Sequence, residues 1–295
     1  MINKNQNLIN IPSFVLNDLQ KKKFSLLGKV YLALKGKFLS FTIRNLTGKY
    51  LCVIINFFYG KNGYIRYENS LYYKKINGLN FYYPNKRFLR IVNDEKILFD
   101  IINQSYCLNS IDFTNNDIVI DCGANVGELK LAINQRNKDI EYYAFEPDAL
   151  VFECLLKNFP TYSKNLYNLG LSNDNSLKKL FADSEGGNSS FIDFGSKDIR
   201  EVQCITLDSL NLKKEIKLFK VEAEGYEPEV LLGSVNTLKK VEFVAVDFGP
   251  ERGKGQSNTV VEVNNILYEN NFSLVNFSNF RAAGLYRNNK ITNND

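Results

Sequence analysis

The sequence predicts an α/β protein: a mainly parallel sheet with helices on both faces, preceded by a basic α/β extension. Three observations predict it. Residues 117–127 (DIVIDCGANVG) run from a short apolar strand into a glycine-bounded turn, strand and helix patterns alternate after that turn, and several of the strands end in acids. Alternating strands and helices imply a parallel sheet, and open sheets of this kind bind ligands beyond the carboxyl ends of their strands.

A chain of 295 residues can hold one sizeable domain with an extension. The net charge of +5 divides unevenly: residues 1–85 carry 13 Lys and Arg against Asp18 and Glu68, a balance of +11, and the remainder carries 24 basic and 30 acidic residues, a balance of −6. The two parts therefore meet different surroundings. Five scattered cysteines, Cys52, Cys107, Cys122, Cys154 and Cys204, include no C-x-x-C pair, so neither a disulfide framework nor a zinc site is suggested. That usage and the polar start Met1–Asn10 lead us to expect a reducing cytoplasm and no secretory leader. Histidine is absent. Catalysis through Ser-His-Asp or Cys-His and histidine metal ligation are thereby excluded, and any general base must be Asp, Glu, Lys, Tyr or Cys.

In chain order, residues 1–20 are expected to be loose. Lys21–Lys37 reads as a helix with Phe24, Leu27, Tyr31 and Leu34 on one face, and Tyr50–Tyr59 is a ten-residue apolar run between Lys49 and Lys61, too short to span a bilayer, which needs about 20 residues. These helices either cap the main domain with their lysines in water, or lie on an anionic membrane surface as a peripheral contact through residues 20–60. Leu71–Lys75 and Leu79–Tyr83 flank Asn77-Gly78, a hairpin signal; its aromatics, Tyr72, Tyr73, Phe81, Tyr82 and Tyr83, are cross-strand packing or a sugar-stacking wall. A helical lead-in covers Arg87–Tyr106. The expected divisions are an extension over 1–85, a lead-in over 86–116, the main domain over 117–290 and a disordered tail over 291–295.

Within the main domain, Ile118–Ile120 is a strand and Glu128–Gln135 a helix. Glu141–Phe145 is a strand, and Leu166–Leu171 a third that ends at Ser172 and Asn173. Lys178–Phe181 and Ser189–Phe194 are expected to form a hairpin with a Gly186-Gly187 tip. Ile216–Glu224 is the fourth main strand, followed by a helix from Pro228. Glu242–Phe248 is the next strand, Val260–Tyr268 a helix, and Phe272–Phe277 and Ala283–Arg287 the last two strands.

The turn has the spacing G-x-x-x-G. It lacks the middle glycine that admits a dinucleotide pyrophosphate, and Asp121 would set a negative charge beside one. S-adenosylmethionine suits it better: Asp121 can attract the ammonium of its methionine end, and the amides of Gly123, Ala124, Asn125 and Gly127 can hold the carboxylate. Glu146, followed by Pro147 and Asp148 and lying 25 residues after Asp121, is placed to accept both ribose hydroxyls. Leu171 and Ser172 would border the adenine. Lys220, Glu222 and Glu224 share one side of a straight strand, where three charges are costly unless they line a site. Asp247 ends the next strand.

With these residues in view the chain resembles the FkbM-type S-adenosylmethionine-dependent methyltransferases. The resemblance covers roughly Asp117–Asn288 and rests on DCGANVGE at 121–128, AFEPD at 144–148, NLGLS at 168–172, TLDSL at 206–210, KVEAEGYEPEVLLG at 220–233 and VDFGPERG at 246–253. It implies a Rossmann-like seven-stranded sheet with a reversed final hairpin and methyl transfer to oxygen, commonly of a sugar or another small hydroxylated substrate, as in surface-glycan or natural-product assembly. In much of the family the position of Glu222 is Asp.

Methyl transfer asks the protein mainly to align acceptor and donor. A base still helps, and Glu222, Glu224 or Asp247 is the expected proton acceptor, with Lys220 and Arg252 orienting the acceptor. Three carboxylates at one edge can hold a divalent cation through oxygen, but without histidine or a defined cluster no metal is assigned. A small-molecule or glycan partner is expected and nucleic acid is not, because the main domain is acidic. A nucleic-acid methyltransferase and a catalytically silent membrane-associated scaffold are the alternatives.

Overall fold

The computed structural model describes residues 12, 14–15, 25–136, 139–183 and 188–291, in two compact units, 1–95 and 96–295. Most of the stretch 1–20, Lys21–Phe24, the Gly186-Gly187 tip and the tail from Thr292 lie outside the described residues.

In the first unit, Ser25 caps helix α1 (Leu26–Asn45) by accepting the Gly28 amide, and α2 (Gly48–Tyr59) follows after a two-residue link. α1 runs past Lys37 and buries Leu32, Gly36, Leu39 and Thr42, leaving the apolar face of Leu27, Tyr31 and Leu34 exposed. A helix apolar on two sides offers two candidate stripes, and periodicity does not rank them.

Strands β1 (Arg66–Glu68), β2 (Leu71–Ile76) and β3 (Leu79–Tyr83) form an antiparallel sheet. Ile76 faces Leu79 across Asn77 and Gly78, both left-handed, as a tight hairpin requires. Tyr72 stacks on Phe88 at 4.2 Å, and Tyr72, Phe81 and Tyr83 are buried, so these three are packing, while Tyr73 and Tyr82 pair half-buried at 5.3 Å. Lys74 is buried among them and donates to the carbonyls of Ile91 (2.9 Å) and Asn93 (2.8 Å). Those carbonyls are thereby withdrawn from helical bonding. The lead-in is accordingly broken into a 3₁₀ turn, Lys86–Ile91, and α3 (Glu95–Ser105).

The second unit contains strands β4 (Ile118–Cys122), β5 (Glu141–Phe145), β6 (Leu166–Tyr167), β7 (Gly170–Leu171), β8 (Leu177–Ala182), β9 (Asp198–Ile205), β10 (Ile216–Val221), β11 (Val241–Asp247), β12 (Phe272–Phe277) and β13 (Ala283–Asn288). Its helices are α4 (Glu128–Asn134), α5 (Ala149–Asn158), α6 (Glu227–Leu232), α7 (Val235–Leu238) and α8 (Val260–Glu269). Seven strands form the main sheet in the order β12-β13-β11-β10-β4-β5-β6. β11, β10, β4, β5 and β6 run parallel, and the β12-β13 hairpin is reversed. The central strands are buried on both faces, as their unbroken apolar runs require.

Three expectations are corrected. The third strand is interrupted: Asn168 turns its amide onto the carbonyls of Glu146 and Pro147, so β6 joins the main sheet while β7 pairs with β9. β8 pairs with β9 rather than with Ser189–Phe194, which contributes a single bridge at Ser190. There Ser190, Asp193 and Ser196 accept nearby backbone amides, local bonds that compete with a ladder. β10 stops at Val221, and Glu224 takes a left-handed conformation (φ 50°), so the straight-strand alternation ends at Glu222.

Burial holds the Lys74 ammonium below its ordinary pKa, with Glu95 opposing the shift. Replacing Lys74 by Met leaves two buried carbonyls without a donor. It should lower stability by roughly 2–4 kcal/mol, read by urea unfolding, the relief of a buried charge offsetting only part of the loss.

Candidate active site

The site lies at the carboxyl edge of the parallel strands, where β4, β5, β10 and β11 deliver the sequence-expected acids. The turn after β4 is closed on itself. Gly123 (φ 68°) passes so near the neighbouring strand end that a Cβ there would lie 1.9 Å from the Glu222 carbonyl oxygen. The amides of Gly123 and Ala124 both donate to the Phe145 carbonyl, the Asn125 amide to Glu146, the Val126 amide to the Asn125 side chain and the Gly127 amide to Ala124. All five amides therefore have acceptors within the turn or on the end of β5.

Asp121 is also turned inward. It is fully buried, accepts the Tyr142 hydroxyl at 2.5 Å and lies 3.0 Å from Lys220 Nζ. Burial pushes its carboxyl above the usual range, and Lys220 works against that shift. Lys220 is itself buried and donates to the carbonyls of Cys122 (3.1 Å) and Gly123 (2.9 Å) while pairing with Glu222 at 3.1 Å. Burial disfavours its charge, but Asp121 and Glu222 outweigh burial and hold its pKa above the ordinary value. Lys220 thus binds the ends of β4 and β10 together.

Glu146 has the character a ribose-binding acid needs. It is buried at the end of β5 and accepts one amide on each oxygen, from Asn125 at 2.8 Å and Asp148 at 2.9 Å, leaving a lone pair on each for a hydroxyl. Burial raises its pKa to about 7 against the pull of the two amides. The neighbouring positions have partners of their own. Asp148 caps α5 through the amides of Leu150 and Val151 and grips Arg200 at 3.1 Å. Pro147 accepts from Asn168 through its carbonyl. Leu171 is in the core, and Ser172 is buried and bonded to Tyr226, so only Asn173 of that turn is exposed.

Glu222 and Asp247 are joined by Arg281, which bonds Glu222 Oε1 at 2.8 Å and pairs with Asp247 through its other nitrogen. Asp247 is buried and also accepts the Gly249 amide at 2.9 Å. The Tyr106 hydroxyl donates to Glu222 Oε2. Glu224, which also acts electrostatically on Arg281, shares a hydrogen bond with Glu251, and both line a neighbouring cavity. Burial, reinforced by Glu222 and Glu227, raises the Glu251 carboxyl to about 7. Glu227 is buried beneath the turn and accepts the amides of Ala223 and Gly225, both at 3.0 Å.

Arg252 is placed elsewhere. It forms a bidentate pair with Glu229 (2.7 and 3.0 Å) and donates to the Gly225 carbonyl, so it fastens α6 to the loop after β11 rather than facing the acids. Lys220 is likewise enclosed. The cation that does meet both Glu222 and Asp247 is Arg281, which the sequence reading passed over along with Tyr106 and Glu251. A signal for Arg281 existed: it lies just before β13, and a reversed strand begins at the edge where its parallel neighbours end. Among the described residues these acids do not come together as metal ligands.

Five parallel strands with a reversed final hairpin, a tight glycine turn and a strand-end acid able to take two hydroxyls give the second unit the architecture of a methyltransferase domain. The family model of the methyltransferase FkbM domain matches residues 121–274, and the chain belongs to this family. No curated protein matches it. Among solved structures it is similar to a methyltransferase FkbM from Methylobacillus flagellatus, with 14% identity over 68% of this chain and 52% of that one and a TM-score of 0.45. It is also similar to a SAM-dependent methyltransferase from Aquifex aeolicus, with 12% identity over 66% of this chain and 93% of that one and a TM-score of 0.40. The chain spans about half the length of the first.

Ribose hydroxyls donate to an ionised carboxylate, so binding favours deprotonated Glu146. S-adenosylhomocysteine affinity, measured calorimetrically, should tighten as pH rises toward about 7 and level off above it, with a slope of at most about tenfold per unit. Glu146→Gln should bind more weakly and lose that dependence.

Proposed function

We propose that the chain transfers a methyl group to a hydroxyl of a sugar or glycan precursor, in surface-polysaccharide or natural-product assembly. The observation that supports this reading best is a polar cavity of about 320 Å³ opening beside the acid edge, lined in part by Asp183, Asn188, Ser190, Glu224, Glu251 and Lys254. Its size falls at the small end of ligand sites, about 300–1,000 Å³, and its carboxylates, amide and hydroxyl suit a compact, hydroxyl-rich acceptor. Clustered acids there oppose a phosphate backbone.

S-adenosylmethionine, when bound, supplies an electrophilic methyl carbon on a sulfonium. This chain's own residues position the acceptor and take its proton. Of the three expected bases, Glu222 and Asp247 are engaged by Arg281, whereas Glu224 faces the cavity with Glu251. We assign proton removal to the Glu224–Glu251 pair, whose shared environment keeps one carboxyl exchangeable near neutrality. Lys220, Arg281 and Tyr106 hold the edge in shape. Arg252 acts indirectly, by anchoring the loop that carries Glu251.

The test is a screen of nucleotide sugars and glycan fragments for methyl uptake, with RNA as a comparison acceptor. With the acceptor so found, Glu224→Gln and Glu251→Gln should lower kcat roughly 10²–10⁴-fold and leave S-adenosylhomocysteine affinity unchanged. For the unaltered protein kcat/KM should rise with pH through about 7, because the base must be ionised. Unchanged turnover in both variants would remove the assignment, and methylation of RNA alone would replace the acceptor class.

A further inference from the structure

Helix α1 carries a second apolar stripe opposite its buried side. Leu27, Tyr31, Leu34, Phe38 and Phe41 recur at helical spacing and are 48–82% exposed. On α2, Tyr50, Val53 and Phe57 form a similar stripe, 66–82% exposed. The two stripes are linked through neighbouring rings: Phe38 meets Phe58 tilted at 6.0 Å, and Phe58 meets Phe57 edge-on at 5.0 Å. An apolar surface of this extent marks something that covers it.

Its charge identifies the cover. Residues 25–62 contain Lys29, Lys35, Lys37, Arg44, Lys49 and Lys61 and no acid. On α1, Lys37 and Arg44 border the stripe on one side and Lys35 on the other, where it lies 4.1 Å from the centre of the Tyr59 ring. A second copy would set two acid-free, cationic faces against each other. Nucleic acid would satisfy the cations and leave the aromatic and aliphatic side chains uncovered. A surface that offers anionic head groups above an apolar layer satisfies both. Among the described residues no helix is long and apolar enough to cross a membrane, so these helices would lie in the interface plane.

We propose that the exposed face of α1 and α2 docks the protein on an anionic lipid bilayer. Flotation of the full chain with vesicles of phosphatidylcholine, alone or mixed with phosphatidylglycerol, tests it. The protein should rise with the mixed vesicles, and added salt should weaken that association. Leu27→Ser/Leu34→Ser/Phe57→Ser and, separately, Lys29→Glu/Lys37→Glu/Lys49→Glu should each lower the bound fraction by at least about tenfold, with unchanged circular dichroism and melting temperature. The proposal is overturned if the unaltered chain stays at the bottom of the gradient, whether light scattering finds it monomeric or dimeric. It is equally overturned if the serine variant floats as well as the unaltered chain.

Discussion

The second unit is built around one buried ammonium. Lys220 reaches across the sheet edge to the carbonyls of Cys122, which ends β4, and Gly123, which opens the turn, and to the carboxylates of Asp121 and Glu222. A charge so enclosed is tolerated only when every donor has a partner, and Lys220 meets that condition. Its position fixes the separation of β4 and β10 at the end where Gly123 and the Glu222 carbonyl nearly touch. The turn, the start of the acid edge and the route from one to the other follow from that contact.

A division of labour results. The conspicuous motif residues mostly make contacts within the scaffold: Asp121 pairs with Lys220, Asp148 caps a helix, Ser172 bonds to Tyr226, and the turn amides donate to Phe145, Glu146, Asn125 and Ala124. Groups with capacity left for a ligand are fewer. Glu146 retains a lone pair on each oxygen, and Glu224 and Glu251 line the cavity. Both Glu146 and Glu251 have carboxyls moved by burial to the range where a proton is easily exchanged. Perturbed acids at a strand edge are where chemistry is expected.

Most of the sheet was legible because its strands are short apolar runs between glycine, proline and acid signals, and the Asn77-Gly78 turn announced its hairpin. What was not legible depended on contacts between distant parts of the chain. The pairing of β8 with β9 hinges on local side-chain bonds in 190–196 that withdraw those residues from a ladder. The buried side of α1 could not be told from its exposed side, because both are apolar. At the site, the acids were found by strand alternation, but Tyr106 and Arg281 belong to no motif, and only the reversed direction of β13 brings Arg281 to the others.

That reversal bears on how the protein is made. Tyr106 and Arg281, 175 residues apart, meet over Glu222, and Arg281 is synthesised after every other member of the group. Until then Glu222 has Lys220 and Tyr106 as partners, and Asp247 lacks the guanidinium that joins it to Glu222. The edge closes only when the last strand arrives, which makes final β-hairpin docking, rather than formation of the glycine turn, the step that completes the site during biosynthesis.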